Sequence, residues 1–275
     1  MSAPGPPDFI GVGALLSGTG WWYERLLEHP AIQPPTTGPE PLHFFERFCT
    51  EPMGDDDVAR YHAHFPREPG TIRGEFTSRY LYDAWTLPLL RRAAPDAKLL
   101  VSVRDPIERY LSALSYRIAE TESDEDAPYM TDAVHRGRYA SQLRALLAFF
   151  PREQVLVLQY ERFRLQPLEE YRRTLRFLGV DASFVPRRYK RLARGKTGPI
   201  LPVRVLRALG VPETVNLRRF RGRRDGPPRA ELWPDLEAAL HDALDEEVAA
   251  LKAELVPDLD LSLWPNFAHL AQEAT

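Results

Sequence analysis

The stretch Phe9-Ile10-Gly11-Val12-Gly13-Ala14-Leu15-Leu16-Ser17-Gly18-Thr19-Gly20-Trp21 decides the fold. Its first five residues are a short apolar run, the pattern of a strand buried on both faces. Small residues follow, and then Trp21–Glu28 predicts a helix that stops at Pro30. Glycines between a strand and a helix let backbone amides converge on an anion, and the helix N-terminus adds positive potential there. The spacing from Gly13 to Gly18 is that of a phosphate-binding P-loop. A nucleotide hydrolase, however, carries Lys-Ser/Thr next, for the phosphate charge and for magnesium. Thr19-Gly20 stands in that place, which argues against a magnesium-dependent ATPase or GTPase. On this loop alone, a purely structural strand-to-helix turn is the competing reading.

The same alternation continues along the chain. Lys98–Val103 (KLLVSV) is the clearest buried strand. Pro106–Glu120 predicts a helix with Asp105 as its N-cap and proline at its first position. Arg73–Thr77 and Gln154–Gln159 are further strand candidates. Trp85–Ala94, Tyr139–Phe149 and Leu168–Leu178 read as helices, the last ending at Gly179. Glu231–Leu255 reads as a long amphipathic helix. Strands alternating with helices predict an α/β fold: a single domain with a central, mostly parallel sheet flanked by helices. Residues 1–7 are expected to be a flexible N-terminus and residues 8–270 the domain.

Composition removes several classes. The 275 residues are 44% hydrophobic with a net charge of −3, so the chain has material for a core and no global positive field for nucleic acid. One cysteine, Cys49, excludes an internal disulfide framework and a multi-cysteine zinc site. The first residues lack the basic and apolar regions of a signal peptide, and no run of about 18 apolar residues is present. These features lead to the expectation of a cytoplasmic protein without a membrane partner. Only four of the 36 basic residues are lysine. Thirteen basic residues against one acid fall within Arg187–Arg224, so a basic loop over residues 187–230 is expected, facing a polyanion or pairing with the acidic helix after it.

Arg104-Asp105-Pro106-Ile107-Glu108-Arg109 directly follows the strand Lys98–Val103. Open α/β sheets place ligands at the carboxyl ends of their strands. Arg104 stands at such an end, and Ser112 lies eight residues on. A guanidinium fork and a hydroxyl there suit a second phosphate. A capped helix with a surface arginine is the bland alternative.

Together these segments resemble the sulfotransferases that use 3′-phosphoadenosine 5′-phosphosulfate (PAPS). The resemblance is carried by Phe9–Pro30, by Leu42–Phe48 (LHFFERF), by Gly74–Asp83 (GEFTSRYLYD) with Pro95–Leu114, and by Phe150–Phe163. The Leu259–Phe267 ending (LDLSLWPNF) is similar to bacterial members. The resemblance implies a P-loop-like sulfotransferase topology. It further implies that PAPS is the co-substrate, that 3′-phosphoadenosine 5′-phosphate (PAP) is the product, and that no metal is needed. By the same resemblance, Leu16, Ser17, Gly18, Thr19, Gly20 and Trp21 wrap the 5′-phosphosulfate, while Arg104 and Ser112 hold the 3′-phosphate. Lys196, in the basic block, is a candidate to close over it. His43 is the matching catalytic base of the acceptor site, with Glu40 as the nearby carboxylate.

The departures are chemical. The family usually carries Lys or Arg where this chain has Leu16, and Gly20 replaces a second threonine. Its usual glutamate before the histidine is here Pro41, with Glu40 one step further away. Sulfuryl transfer leaves negative charge on the 5′-phosphate side, which a fixed cation stabilises. Arg47, Arg79 and Lys196 are candidates to supply it. The expected reaction is sulfuryl transfer to a hydroxyl or amine of a small-molecule acceptor, with a role in secondary metabolism by analogy. The alternative is a degenerate homologue that binds the nucleotide and catalyses another reaction or none. Without the resemblance, His43 reads as a histidine packed among Phe44, Phe45 and Phe48. The other histidines, His241 and His269 among them, show no metal-like spacing with acids, so no metal ligands are expected. Acceptor specificity is expected in the loops Ala31–Gly38, Glu51–Gly70 and Glu120–His135. Oligomeric state is not legible.

Overall fold

The computed structural model describes residues 3–120, 126–187 and 232–271. Five strands form one sheet in the order β2-β3-β1-β4-β5. They are β1 (Phe9–Gly13), β2 (Ile32–Gln33), β3 (Ile72–Phe76), β4 (Lys98–Val103) and β5 (Val155–Gln159). Every pairing is parallel. After β1 the chain runs to the edge strand β2, comes back to place β3 between β2 and β1, and then crosses to lay β4 on the other side of β1. This reversal puts the topological switch point, where α/β sheets open a crevice, at β1 and its neighbours.

Both faces of the sheet are covered, which is why its strands read as unbroken apolar runs rather than alternating ones. On one face Ile10, Val12, Leu99, Val101, Val103, Val155 and Val157 join the larger core. That core is completed by α3 (Thr86–Ala93), α4 (Pro106–Glu120), α6 (Tyr139–Leu147) and α9 (Pro234–Ala250). On the other face Phe9, Leu100, Leu156 and Leu158 meet Trp22, Tyr23 and Leu26 of α1 (Thr19–Leu26) and Tyr171, Leu175 and Leu178 of α8 (Pro167–Leu178). Burying each such side chain contributes roughly 1.5–3 kcal/mol. The remaining helices are α2 (Asp55–His62), α5 (Asp126–His135) and α7 (Tyr160–Leu165).

The structure departs from the expectations in places. Helix α1 starts at Thr19, because Gly18 takes the left-handed conformation (φ 78°) and closes the turn two residues early. The Pro-rich segment after α1 contributes β2, whose two residues are too few to leave a periodic signal. The segment before β1 is not free along its whole length: the Gly5 amide donates to the Phe65 carbonyl, and Arg67 bonds the Pro6 carbonyl at 2.8 Å and Asp8 at 2.6 Å. The long C-terminal helix runs as α9 and then widens into a π turn, Leu251–Leu255. Lys196 and nearly all of the basic block lie outside the described residues.

Candidate active site

The first loop leaves β1 at Gly13 and re-enters regular structure at Thr19. Gly18 has no substitute here. Its φ is positive, and a Cβ built on it falls 2.7 Å from the Tyr160 ring and 2.9 Å from Phe163. No side chain caps α1 and no acid lies in its first turn. The amides of Gly18, Thr19, Gly20 and Trp21 therefore have no intrahelical acceptor, and the helix potential at that end is not neutralised. Gly20 is exposed with open space around its Cα. Trp22 is fully buried, whereas Trp21 is half-buried and stacks on Phe163 at 5.9 Å. Ser17 is fully buried and Thr19 buried, with the Ser17 carbonyl accepting from Ser102 Oγ of β4 at 2.6 Å. The Ala14 amide donates to the Ser102 carbonyl at 2.8 Å. Strand β4 thus clamps the loop at both ends.

The same strand delivers Arg104. Its Nη1 donates to the Leu16 carbonyl at 3.2 Å, its guanidinium lies over the Tyr160 ring at 5.0 Å, and its Nη2 is 3.8 Å from Glu108. Glu108 and Ser112 are one turn apart on α4, so Arg104, Glu108 and the half-buried Ser112 run along one line. The turn that carries Arg104 is braced from below. Asp105 is fully buried, accepts from the amides of Ile107 (3.0 Å) and Glu108 (3.1 Å), and receives Asn266 Nδ2 on both oxygens at 2.9 and 3.0 Å. Glu161 accepts from the Asp105 amide at 3.1 Å and from Trp264 Nε1 at 2.7 Å. Burial pushes both carboxyls above the ordinary range, against the pull of these donors. The Leu259–Phe267 ending thus serves as the support of the Arg104 turn.

His43 has a left-handed backbone (φ 50°) and a half-exposed side chain. Its carboxylate partner is Glu46, whose Oε1 lies 2.5 Å from Nδ1. Glu40 is exposed and has no contact with His43. Glu46 lies 3.9 Å from Arg79, which is itself held by the buried Asp83 at 3.0 Å. A proton on Nδ1, directed at Glu46, leaves Nε2 as the basic nitrogen. Of the candidate cations, Arg47 pairs with Asp57 at 3.0 Å and lies over Phe44 and Phe48, so Arg79 is the one beside His43.

A buried cluster fixes the segment that carries His43. Glu75 of β3 is fully buried and accepts from Tyr61 (2.7 Å), Thr77 Oγ1 (2.6 Å) and Tyr80 (3.4 Å). Two consecutive amides are captured by this group: His43 by Thr77 Oγ1 at 3.4 Å, and Phe44 by the Tyr80 hydroxyl at 2.9 Å. Burial raises the Glu75 carboxyl above the usual range, while the hydroxyl and amide donors pull it back. Sequence reasoning missed Glu46, Glu75 and Tyr80. The only traces they leave are spacings, three residues from His43 to Glu46 and Glu75-x-Thr77-x-x-Tyr80.

Residues 78–184 match the Sulfotransferase family. The sulfotransferase of Alicyclobacillus acidocaldarius superposes with a TM-score of 0.64 at 26% identity, covering 94% of this chain and 98% of that one. The chain is thus similar to the sulfotransferases, in the matched segment and in its fold. Heparan sulfate glucosamine 3-O-sulfotransferase 3B1 of Mus musculus is 29% identical over 188 residues, 63% of this chain and 46% of that protein. Heparan sulfate glucosamine 3-O-sulfotransferase 6 of Homo sapiens is 31% identical over 187 residues, 63% of this chain and 52% of that protein. The chain spans about half the length of these curated relatives. A mouse sulfotransferase crystallised with PAP shares the fold at a TM-score of 0.53 and 14% identity, over 98% of this chain and 88% of that one. Among the described residues no helix is long and apolar enough to cross a membrane.

Proposed function

We propose that this protein transfers a sulfuryl group from PAPS to a hydroxyl or amine of a small-molecule acceptor. The observation that carries this reading is the 3.2 Å bond from Arg104 to the Leu16 carbonyl, which joins two anion-binding elements at adjacent strand ends. The uncapped amides of Gly18 to Trp21 take the 5′-phosphosulfate, with the Thr19 hydroxyl beside them. Arg104 and Ser112 take the 3′-phosphate. His43 Nε2 removes the acceptor proton as the acceptor atom attacks sulfur. The bond from sulfur to the 5′-phosphate oxygen breaks, and PAP leaves with the electron pair. Glu46 holds the imidazole in the tautomer this requires and stabilises the imidazolium that forms. Because the relatives named above include proteins that sulfate a glucosamine hydroxyl, amino sugars belong in the acceptor panel beside phenols and alcohols of secondary metabolism.

The test has two arms. Calorimetry with PAP reads the nucleotide site, and labelled PAPS with the acceptor panel reads transfer. Binding together with transfer that disappears in His43→Ala supports the proposal. Binding without transfer to any acceptor identifies a nucleotide-binding homologue that has lost the reaction, and absence of PAP binding overturns the reading altogether.

A further inference from the structure

Away from the strand ends, α9 and the C-terminal turn Pro265–Ala271 bring together three side chains to which the sequence assigned no role. His241 and Asp245 are one turn apart on α9, with Nδ1 2.8 Å from Oδ1. From the C-terminal turn, His269 Nε2 lies 3.1 Å from the other oxygen, Asp245 Oδ2. One ligand atom from each of the three falls within 4.8 Å of the others. The two imidazole rings are 5.5 Å apart at 67°, and both rest on the fully buried Phe267 at 5.5 and 6.4 Å.

We propose that His241, Asp245 and His269 form a binding site for one divalent transition-metal ion of the zinc class. Two imidazoles and a carboxylate are the donor set that such ions favour over magnesium or calcium. Tetrahedral zinc, with bonds near 2.0–2.2 Å, needs ligand atoms about 3.3 Å apart. The 2.8 and 3.1 Å separations run to different oxygens of Asp245 and the three ligand atoms lie within 4.8 Å of one another, so side-chain rotation brings them onto one ion. The ion replaces the protons that the imidazoles share with the carboxylate. Side-chain exposures of 26%, 35% and 48% give it an entry path and leave the fourth position to water. The Phe267 floor limits ring motion, so little ordering remains to be done on binding.

The ligands come from two elements, so the ion acts as a clip. It ties the turn Pro265–Ala271 to α9, and the same turn sends Asn266 to Asp105 beneath Arg104. Its effect falls on the support of the site, separate from the reacting groups and from the proposed sulfuryl transfer.

The full chain, stripped with a chelator, is titrated with zinc chloride by calorimetry and with cobalt chloride by visible absorption. One ion per chain, d–d bands of tetrahedral cobalt and a raised unfolding midpoint are expected. Binding should weaken by about tenfold or more in His241→Ala, His269→Ala and Asp245→Asn, and stay unchanged in Cys49→Ser and His64→Ala. Circular dichroism checks that the variants fold, and Asp245→Asn, which keeps the side-chain shape, serves where an alanine variant does not. No binding by the wild-type chain, or equal affinity in wild type and the three ligand variants, overturns the site.

Discussion

The guanidinium of Arg104 donates to the main-chain oxygen of Leu16 at 3.2 Å. The first loop has no cation of its own, yet a cation lies against it, sent from the carboxyl end of the neighbouring strand. The side chain over Tyr160 and the brace under Asp105 define its direction. Replacing Arg104 with Ala removes charge-assisted bonds worth about 1.5–3 kcal/mol. PAP affinity should fall roughly 10- to 100-fold by calorimetry. An unchanged affinity would remove Arg104 from the nucleotide site.

Leu16 tests whether that borrowed charge suffices. Its side chain is half-buried against the larger core and its backbone is left-handed (φ 66°). Leu16→Lys gives up some packing and places an ammonium on the loop. If charge beside the 5′-phosphosulfate limits the reaction, kcat rises while PAP affinity changes little. A kcat no higher than that of wild type, in a variant that folds, counts against a missing loop charge as the limit on transfer.

The two loop glycines should behave oppositely. Gly18→Ala forces a Cβ to within 2.7 Å of the Tyr160 ring at φ 78°, at a cost of about 1–3 kcal/mol from backbone strain alone. Gly20→Thr enters open space in the first turn of α1 and should leave the denaturant midpoint nearly unchanged. Urea unfolding of both variants measures the contrast.

Glu75 anchors the Thr77 and Tyr80 hydroxyls that hold the His43 and Phe44 amides, so Glu75→Gln should lower kcat more than it raises the acceptor KM. Burial raises this carboxyl in the folded state above its unfolded value near 4.3. The folded form then binds the proton more tightly. The stability contributed by protonation is fully present below the unfolded pKa and is lost as pH rises through the folded one. On acidification from pH 7 toward pH 5, wild type should gain stability relative to Glu75→Gln. Thermal melts of both across that range check the sign, and parallel curves would refute it.

Asn266 is far along the chain from the proposed chemistry yet touches both oxygens of Asp105. Asn266→Ala leaves a buried carboxylate short of donors, a loss of roughly 1–3 kcal/mol in unfolding free energy. PAP binding should weaken as well, because the Arg104 turn loses its brace. A stability loss with PAP affinity intact would show that the brace does not govern Arg104.

Some of this was written in the sequence. Strands β1, β4 and β5 were legible because both faces are buried and their runs are uniformly apolar. The strand-turn-helix at Gly18 and the cap at Asp105 were legible because backbone conformation restricts residue type locally. Arg104 and Ser112 were singled out for the same reason: both were read from position relative to one strand end. Glu46, Glu75 and Tyr80 were not found. Burial, not composition, makes a carboxylate in β3 the anchor of the Thr77 and Tyr80 hydroxyls that hold the amides of another loop. Glu40 was the carboxylate expected beside His43, but the left-handed turn at His43 carries the imidazole forward to Glu46. His241 and His269, 28 positions apart, met only when the last turn folded back on α9. Local spacing determined the elements and the phosphate-type loops. Long-range packing decided which charges meet, because ion pairs and shared hydrogen bonds depend on distance in space, and sequence separation does not encode it.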